Sequence, residues 1–271
     1  MTDSSATLKA VPIAFETRSL KIKRGQRSVI TGLNLKISTG RWCAIIGPNG
    51  AGKSSLLLAL AGVLPFQGEI LLFNQPLRQY AAQYRARRVA WLAQSSVQSA
   101  DDLTAYDVVM LGRIPYQSWL NGQSQADHTA VEHALKLTHA WDWRNRALGT
   151  LSGGEKQRVL LARLLAVEAD VLLMDEPFGA LDEITRHKLD EDLLNLWQNQ
   201  GLTIVFVTHS IHEAVFLSNR VVMMAARPGR ITEEFKINEP YPRSSEFMMT
   251  SDFMDYAKQL QKSLLTASVA G

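Results

Sequence analysis

The stretch "WCAIIGPNGAGKS", Trp42 to Ser54, decides the fold. An apolar run of strand character, "WCAII", leads into a glycine-rich turn, and "KSSLLLALAG" then reads as a helix. The turn "GPNGAGKS" fits G-x-x-x-x-G-K-[ST] in the strand–loop–helix setting that this pattern requires. Glycines at 47, 50 and 52 let the backbone curl so that its N–H groups face inward, and the helix N-terminus adds to the pull on an anion. Gly47, Pro48, Asn49, Gly50, Ala51, Gly52, Lys53, Ser54 and Ser55 are therefore expected to cradle a chain of phosphates. In such a cradle Lys53 reaches the β- and γ-phosphates and Ser54 ligates Mg²⁺.

Working outward, "VLLMDEP" (Val171 to Pro177) sets two carboxylates at the end of a second buried strand. Adjacent acids there are costly without a cation or a proton to manage them. Beside a phosphate loop their roles divide. Asp175 is expected to hold Mg²⁺, directly or through water, and Glu176 to polarise the water that attacks the γ-phosphate. Gln94 closes the strand "RVAWLAQ", and His209 follows "TIVFVT". In an open α/β sheet, ligands gather outside the carboxyl ends of the strands. Gln94 is thus placed to touch the metal or the attacking water, and His209 the γ-phosphate. Singly, each of these residues reads as an ordinary surface or capping group; the combination carries the chemistry. The histidines of "HSIHE" (His209, His212) stand at i, i+3 with no third ligand nearby, so no metal other than Mg²⁺ is expected.

The segment "LSGGEKQR" (Leu151 to Arg158) opens the helix "VLLARLLA". Ser152 and Glu155 form S-x-x-E, a capping box. That leaves Gly153 and Gly154 unexplained, since each costs about 1 kcal/mol of helix stability relative to alanine. Bare backbone at a helix N-terminus suits the close approach of a phosphate. The chain already holds one phosphate loop, so a second anion site makes sense if it serves a nucleotide held by another subunit.

The rest of the chain is an ordinary globular sequence. It has 271 residues, a net charge of +3 and one cysteine, Cys43, in an apolar run. That balance does not argue for nucleic acid, and a lone cysteine excludes an internal disulfide and fits a reducing compartment. The basic runs "KIKRGQR" (Lys21 to Arg27) and "RARR" (Arg85 to Arg88) read as solvated faces. "MTDSSATLKA" lacks the apolar core of a signal peptide, and "LLLALAGVLPF" is too short to span a bilayer. Strands alternating with helices predict a mostly parallel sheet covered on both faces. Between about 100 and 150, "LTAYDVVMLGR" and "ADHTAVEHALKL" predict a small helical insert, with Ala126, Ala130, Ala134 and Leu137 on one stripe.

With these residues in hand, the sequence resembles the nucleotide-binding subunit of an ATP-binding cassette (ABC) transporter, from about residue 15 to 235. "LSGGEKQR" followed shortly by "VLLMDEP" is the specific mark. Gln94 matches the family's Q-loop, "ALD" (Ala180 to Asp182) its D-loop and His209 its switch histidine. The resemblance implies an α/β fold: a P-loop NTPase (RecA-like) core with an N-terminal antiparallel β subdomain and an inserted α-helical subdomain. Its parts would be a core over about 12–96 and 146–235, an insert over about 97–145 and a short C-terminal extension from about 236. It further implies a head-to-tail homodimer with two ATP molecules sandwiched between phosphate loop and signature segment. Ser152, Gly153 and Gly154 would then contact the partner's nucleotide, and Asp182 would sit at the interface. The insert would grip a transmembrane permease subunit at the cytoplasmic face of the plasma membrane, with a periplasmic or extracellular binding protein in the full system. The place of an adenine-stacking aromatic falls on Lys23 or Arg24, and Arg24 can stack through its guanidinium plane. Two importer subgroups are mixed. "LTAYDVVMLGRIPY" resembles ATPases for siderophores, haem and vitamin B12, and "EPFGALD" with "THSIHEAVFLSNRVVMMAARPGRI" those for nitrate, sulfonate and taurine. Import is the implied direction. An exporter ATPase or a soluble ABC ATPase of the iron–sulfur assembly type is the alternative.

Overall fold

β-prone sequence in this chain forms two sheets of different kinds. The structure is a computed structural model that describes residues 11–94, 100–117, 122–179 and 181–269. In chain order its elements begin with β1 (Ile13–Arg24), β2 (Arg27–Ser38), β3 (Trp42–Ile46), α1 (Lys53–Leu60), β4 (Gln67–Leu72), β5 (Gln75–Pro76), α2 (Ala82–Arg88) and β6 (Val89–Leu92). The insert supplies α3 (Ala105–Met110) and α4 (Gln125–Leu137). Then come α5 (Gly153–Leu165), β7 (Val171–Asp175), α6 (Glu183–Gln200), β8 (Thr203–Val207), α7 (Ile211–Leu217), β9 (Arg220–Ala225), β10 (Arg230–Lys236) and α8 (Ser251–Val269).

The first sheet is antiparallel, in the order β2-β1-β4-β5. The second runs β10-β9-β3-β8-β7-β6 and is parallel except for β10, which returns antiparallel beside β9. Every residue of β3, β7 and β8 is buried, as expected of parallel strands covered on both faces. Alternate side chains of these strands enter two apolar layers. Ala44, Leu172, Met174 and Phe206 face the layer shared with α3 to α8. Ile45, Leu173, Val205 and Val207 face α1 and the antiparallel sheet. The architecture is the expected α/β P-loop core with its antiparallel and helical additions. Val108, Val131 and Leu135 of the insert lie in the same apolar layer as the core strands.

Several sequence expectations shift. Gln94 lies two residues beyond the end of β6, in a turn. The buried stripe of α4 is Asp127, Ala130, Val131, Ala134 and Leu135, while Ala126 is exposed. Asp127 is drawn in because Arg113 Nε donates to its carboxylate at 2.9 Å, and a capping box with Ser124 adds two further bonds. Thr104 caps α3 through the Asp107 N–H, and the Asp107 carboxylate accepts from the Thr104 hydroxyl rather than from backbone, so the T-x-x-D pair makes half a capping box. "RARR" is no solvated face. It ends α2, where Arg85 donates to Gly62 O, Arg87 to Pro115 O, and Arg88 pairs with Asp170 at 3.0 Å. The C-terminal extension is more than a tail. It closes on the 19-residue α8, and buried Arg243 donates to the carbonyls of Val215, Phe216 and Ser218 at the end of α7. A cation there also meets the negative end of the helix. The first residues of the insert (97–99), Ala180 of "ALD" and "MTDSSATLKA" lie outside the described residues. Among the described residues no helix is long and apolar enough to cross a membrane.

Candidate functional site

The carboxyl ends of β3, β6, β7 and β8 put their following residues on one edge of the large sheet, and a cavity of about 740 Å³ opens there. It is lined by Asn49, Gly50, Gly52, Lys53, Ser54 and Ser55 from the phosphate loop and α1, and by Gln94, Glu176 and His209 from the other three strand ends. Gly47 has no room for a side chain, since a Cβ would meet Met224 O at 2.2 Å. The loop is thereby pressed against β9 while its far side faces the cavity. Lys53 Nζ donates to Gly47 O at 2.7 Å and Pro48 O at 3.1 Å, so the ammonium is held by the loop's own carbonyls. Burial holds its pKa below the ordinary lysine range, against the pull of Glu176 and Asp175.

Glu176 is the hub of the site. Gln94 Nε2 donates to its Oε2 at 2.7 Å, and His209 Nε2 lies 2.5 Å from its Oε1, close enough for Nε2–H to donate. The backbone of Glu176 has φ 49, a left-handed conformation that a non-glycine residue adopts at a cost of about 1–2 kcal/mol. Its N–H is bonded to Val207 O at 2.9 Å, which aims the side chain past the end of β7. Asp175, one residue earlier, is buried, and its Oδ1 has no hydrogen-bond donor. Burial raises its pKa, a hydrogen bond with Ser54 opposes that, and the charge of Glu176 raises it further. A buried carboxylate oxygen without a donor, beside a serine hydroxyl and a second acid, is what a hard dication fits.

The signature segment stands apart. Ser152, Gly153, Gly154, Leu181 and Asp182 line a second cavity of about 490 Å³ that shares none of its lining with the first. Its capping box is fully made, with Glu155 N bonded to Ser152 Oγ at 3.3 Å and Ser152 N to Glu155 Oε2 at 2.7 Å. A Cβ at Gly153 would make only an ordinary contact, 3.8 Å from Leu181 Cδ2, whereas a Cβ at Gly154 would meet Thr185 Cγ2 at 2.6 Å. Close helix packing therefore explains Gly154, and ligand approach is left to explain Gly153 alone. Arg24 lines the same cavity, and so do Arg27, Val29 and Arg227, which sequence reading missed. Arg227 reaches the site because Gly229 pairs with Ile30, a contact between the two ends of the chain that no local pattern announces.

The fold and this edge of convergent polar groups define a P-loop nucleotide hydrolase. A family model described as "ABC transporter" matches residues 30–179. An aliphatic sulfonates import ATP-binding protein of Bacillus cereus (strain ATCC 10987 / NRS 248) is 36% identical over 222 residues, covering 80% of this chain and 81% of the relative. A petrobactin import ATP-binding protein of Bacillus anthracis is 34% identical over 236 residues, covering 84% and 86%. A dimeric structure of a bacterial ABC transporter cassette superposes with a TM-score of 0.70 at 26% identity, covering 83% of this chain and all of that one. The chain belongs to the ABC transporter family, as an ATP-hydrolysing cassette of the import type.

Proposed function

We propose that this chain hydrolyses MgATP as a head-to-tail homodimer at the cytoplasmic face of the plasma membrane and so powers import through transmembrane permease subunits. A binding protein outside the membrane completes the system. The observation that supports this most is Glu176, held through both carboxylate oxygens by Gln94 and His209 at the mouth of the phosphate-loop cavity.

The residues divide the work as follows. The backbone from Gly47 to Ser55 binds the β- and γ-phosphates, and Lys53 turns from its loop carbonyls to meet their charge. Ser54, Asp175 and Gln94 hold Mg²⁺, which when bound offsets the negative charge on the phosphates. Glu176 accepts a proton as the water oxygen attacks the γ-phosphorus, and the bond to the β–γ bridging oxygen breaks with its electron pair leaving on ADP. His209 orients Glu176 and donates towards the γ-phosphate. Arg24 stacks on the base. Ser152, Gly153 and Gly154 close over the partner's nucleotide, and Asp182 lies at the interface. The separation of the two cavities supports this reading, because one copy presents a phosphate loop and a signature segment that do not meet. The cargo is set by the permease and binding-protein subunits: the relatives' names include both sulfonates and petrobactin at similar identity to this chain.

The test is Glu176→Gln. It keeps the contacts' shape and removes the base, so turnover should fall by roughly a hundredfold or more while ATP binding persists and a dimer accumulates on size exclusion. Turnover at the wild-type rate would refute the role of Glu176.

A further inference from the structure

We propose that Arg186 is a positioning residue for ATP hydrolysis, joining the turn that carries His209 to the turn that carries Asp182. The inference rests on the function proposed above, in which His209 acts at the γ-phosphate and Asp182 lies at the subunit interface.

The join is a run of four side-chain contacts. Thr208, the residue before His209, donates its Oγ1–H to Glu213 Oε2 at 2.5 Å and accepts from Ser210 N at 2.9 Å. The backbone on both sides of His209 is thus set by one hydroxyl, and that hydroxyl is set by Glu213. Glu213 is buried, and its other oxygen, Oε1, lies 3.5 Å from Arg186 Nε. Arg186 sits in the first turn of α6, whereas Glu213 sits in α7. From the other end of its guanidinium, Arg186 Nη2 donates to Leu181 O at 2.8 Å. Leu181 precedes Asp182, whose Oδ1 caps α6 by accepting from Thr185 N at 3.0 Å. One guanidinium therefore holds the carboxylate behind His209 and the carbonyl before Asp182.

A purely structural role for this ion pair is a poor account of it. Only Glu213 is buried while the Arg186 side chain is 29% exposed, and such a pair is weak evidence for stability, because the desolvation cost of the buried charge offsets much of a Coulomb gain that water screens. The two helices also meet without it, through His187 against Phe216 at 5.7 Å. The site even carries a further burden: Asp190, in α6, is buried with Oδ1 lacking a donor, repelled by Glu213 and attracted by Arg186. An apolar pair could bind α6 to α7, but it could not fix Thr208 and Leu181 at once. A guanidinium can, because its positive charge faces the Glu213 carboxylate, with no hydrogen bond at Nε, while its Nη2 donates to Leu181 O. Movement of the Asp182 turn as two subunits meet would then reach His209 through side chains already in place.

The experiment compares single-turnover ATP hydrolysis by the full chain in two backgrounds. In the wild-type background Arg186→Ala should lower the rate roughly tenfold to a hundredfold, leave the ATP concentration for half-saturation near wild type, and be partly rescued by Arg186→Lys. In the His209→Ala background, where there is nothing left to position, Arg186→Ala should add less than about a twofold further loss. Equal losses in both backgrounds, or no loss in either, would overturn the inference. If Arg186→Ala does not fold, Glu213→Gln gives the same comparison, since it can still accept from Thr208 but loses its charge towards Arg186. No hydrolysis by the wild-type chain overturns this inference and the proposed function together. An active wild type with inactive Glu176→Gln and additive Arg186 losses overturns this inference alone.

Discussion

Gly154 answers to a neighbour that lies far along the chain. A Cβ there would run into the methyl of Thr185, a β-branched side chain with little freedom to turn away. Gly154→Ala gains about 1 kcal/mol of helix propensity and loses about 1–3 kcal/mol to the clash. The net expectation is a lower urea midpoint, restored by adding Thr185→Ser, which removes the methyl. If the double variant folds like wild type but no longer hydrolyses ATP, the bare backbone serves a ligand as well as the packing. At this scale the sequence was a better guide to place than to contact. Asp175, Glu176, Gln94 and His209, at or just past strand ends, and Lys53, at the start of α1, were legible because motif spacing sends them to one edge of the sheet. Thr185 beneath Gly154 and Arg227 beside the phosphate loop were not, because nothing local records which distant residue arrives.

Helices α6 and α7 form the element pair with the most unusual electrostatics. Asp190 and Glu213 both have their pKa raised, burial being the first cause in each and their mutual or neighbouring negative charge adding to it. A folded-state carboxyl whose pKa lies above its unfolded value contributes stability that is complete below the unfolded value and is lost as pH rises through the folded one. For Asp190 the window opens at its ordinary value of 3.8 and extends well above it. Asp190→Asn keeps the shape without the titration. Its urea midpoint should exceed that of wild type by a margin that widens from pH 4 to pH 7, and a margin independent of pH would show that Asp190 does not carry this charge. Helical spacing puts Leu189, Leu193 and Leu196 on the buried stripe of α6. The pattern S-x-x-E at Ser210 and Glu213 marks the start of α7, but it looks the same whether the acid bonds back to the cap or turns inward to Thr208, as it does here. Helix α2 was missed because its seven residues bury none of their side chains, so it has no apolar period to read.

Seen whole, one chain presents its phosphate loop and its signature segment in separate cavities, and the proposed head-to-tail pairing of two such chains permits a complementation test. A Lys53→Ala chain lacks a working phosphate loop, and a Ser152→Arg chain lacks a working signature segment. Each should be inactive alone. Mixed, they should recover ATPase activity, because their heterodimer holds one intact pairing of the Ser152→Arg chain's phosphate loop with the Lys53→Ala chain's signature. Failure of the mixture to exceed either parent would refute the head-to-tail arrangement. Most of the global plan was visible in the alternation of strands and helices. The C-terminal helix and the buried Arg243 that precedes it were not, since the clamp on α7 is made of backbone carbonyls that any sequence supplies. One feature of this plan bears on how the protein can be improved. Glu176 holds a left-handed backbone and adds a negative charge beside buried Asp175, so replacing it with glycine relieves both burdens at once. A laboratory selection for heat resistance alone would favour chains that have discarded the proposed base. Thermotolerant variants of this protein have to be screened for survival and turnover together.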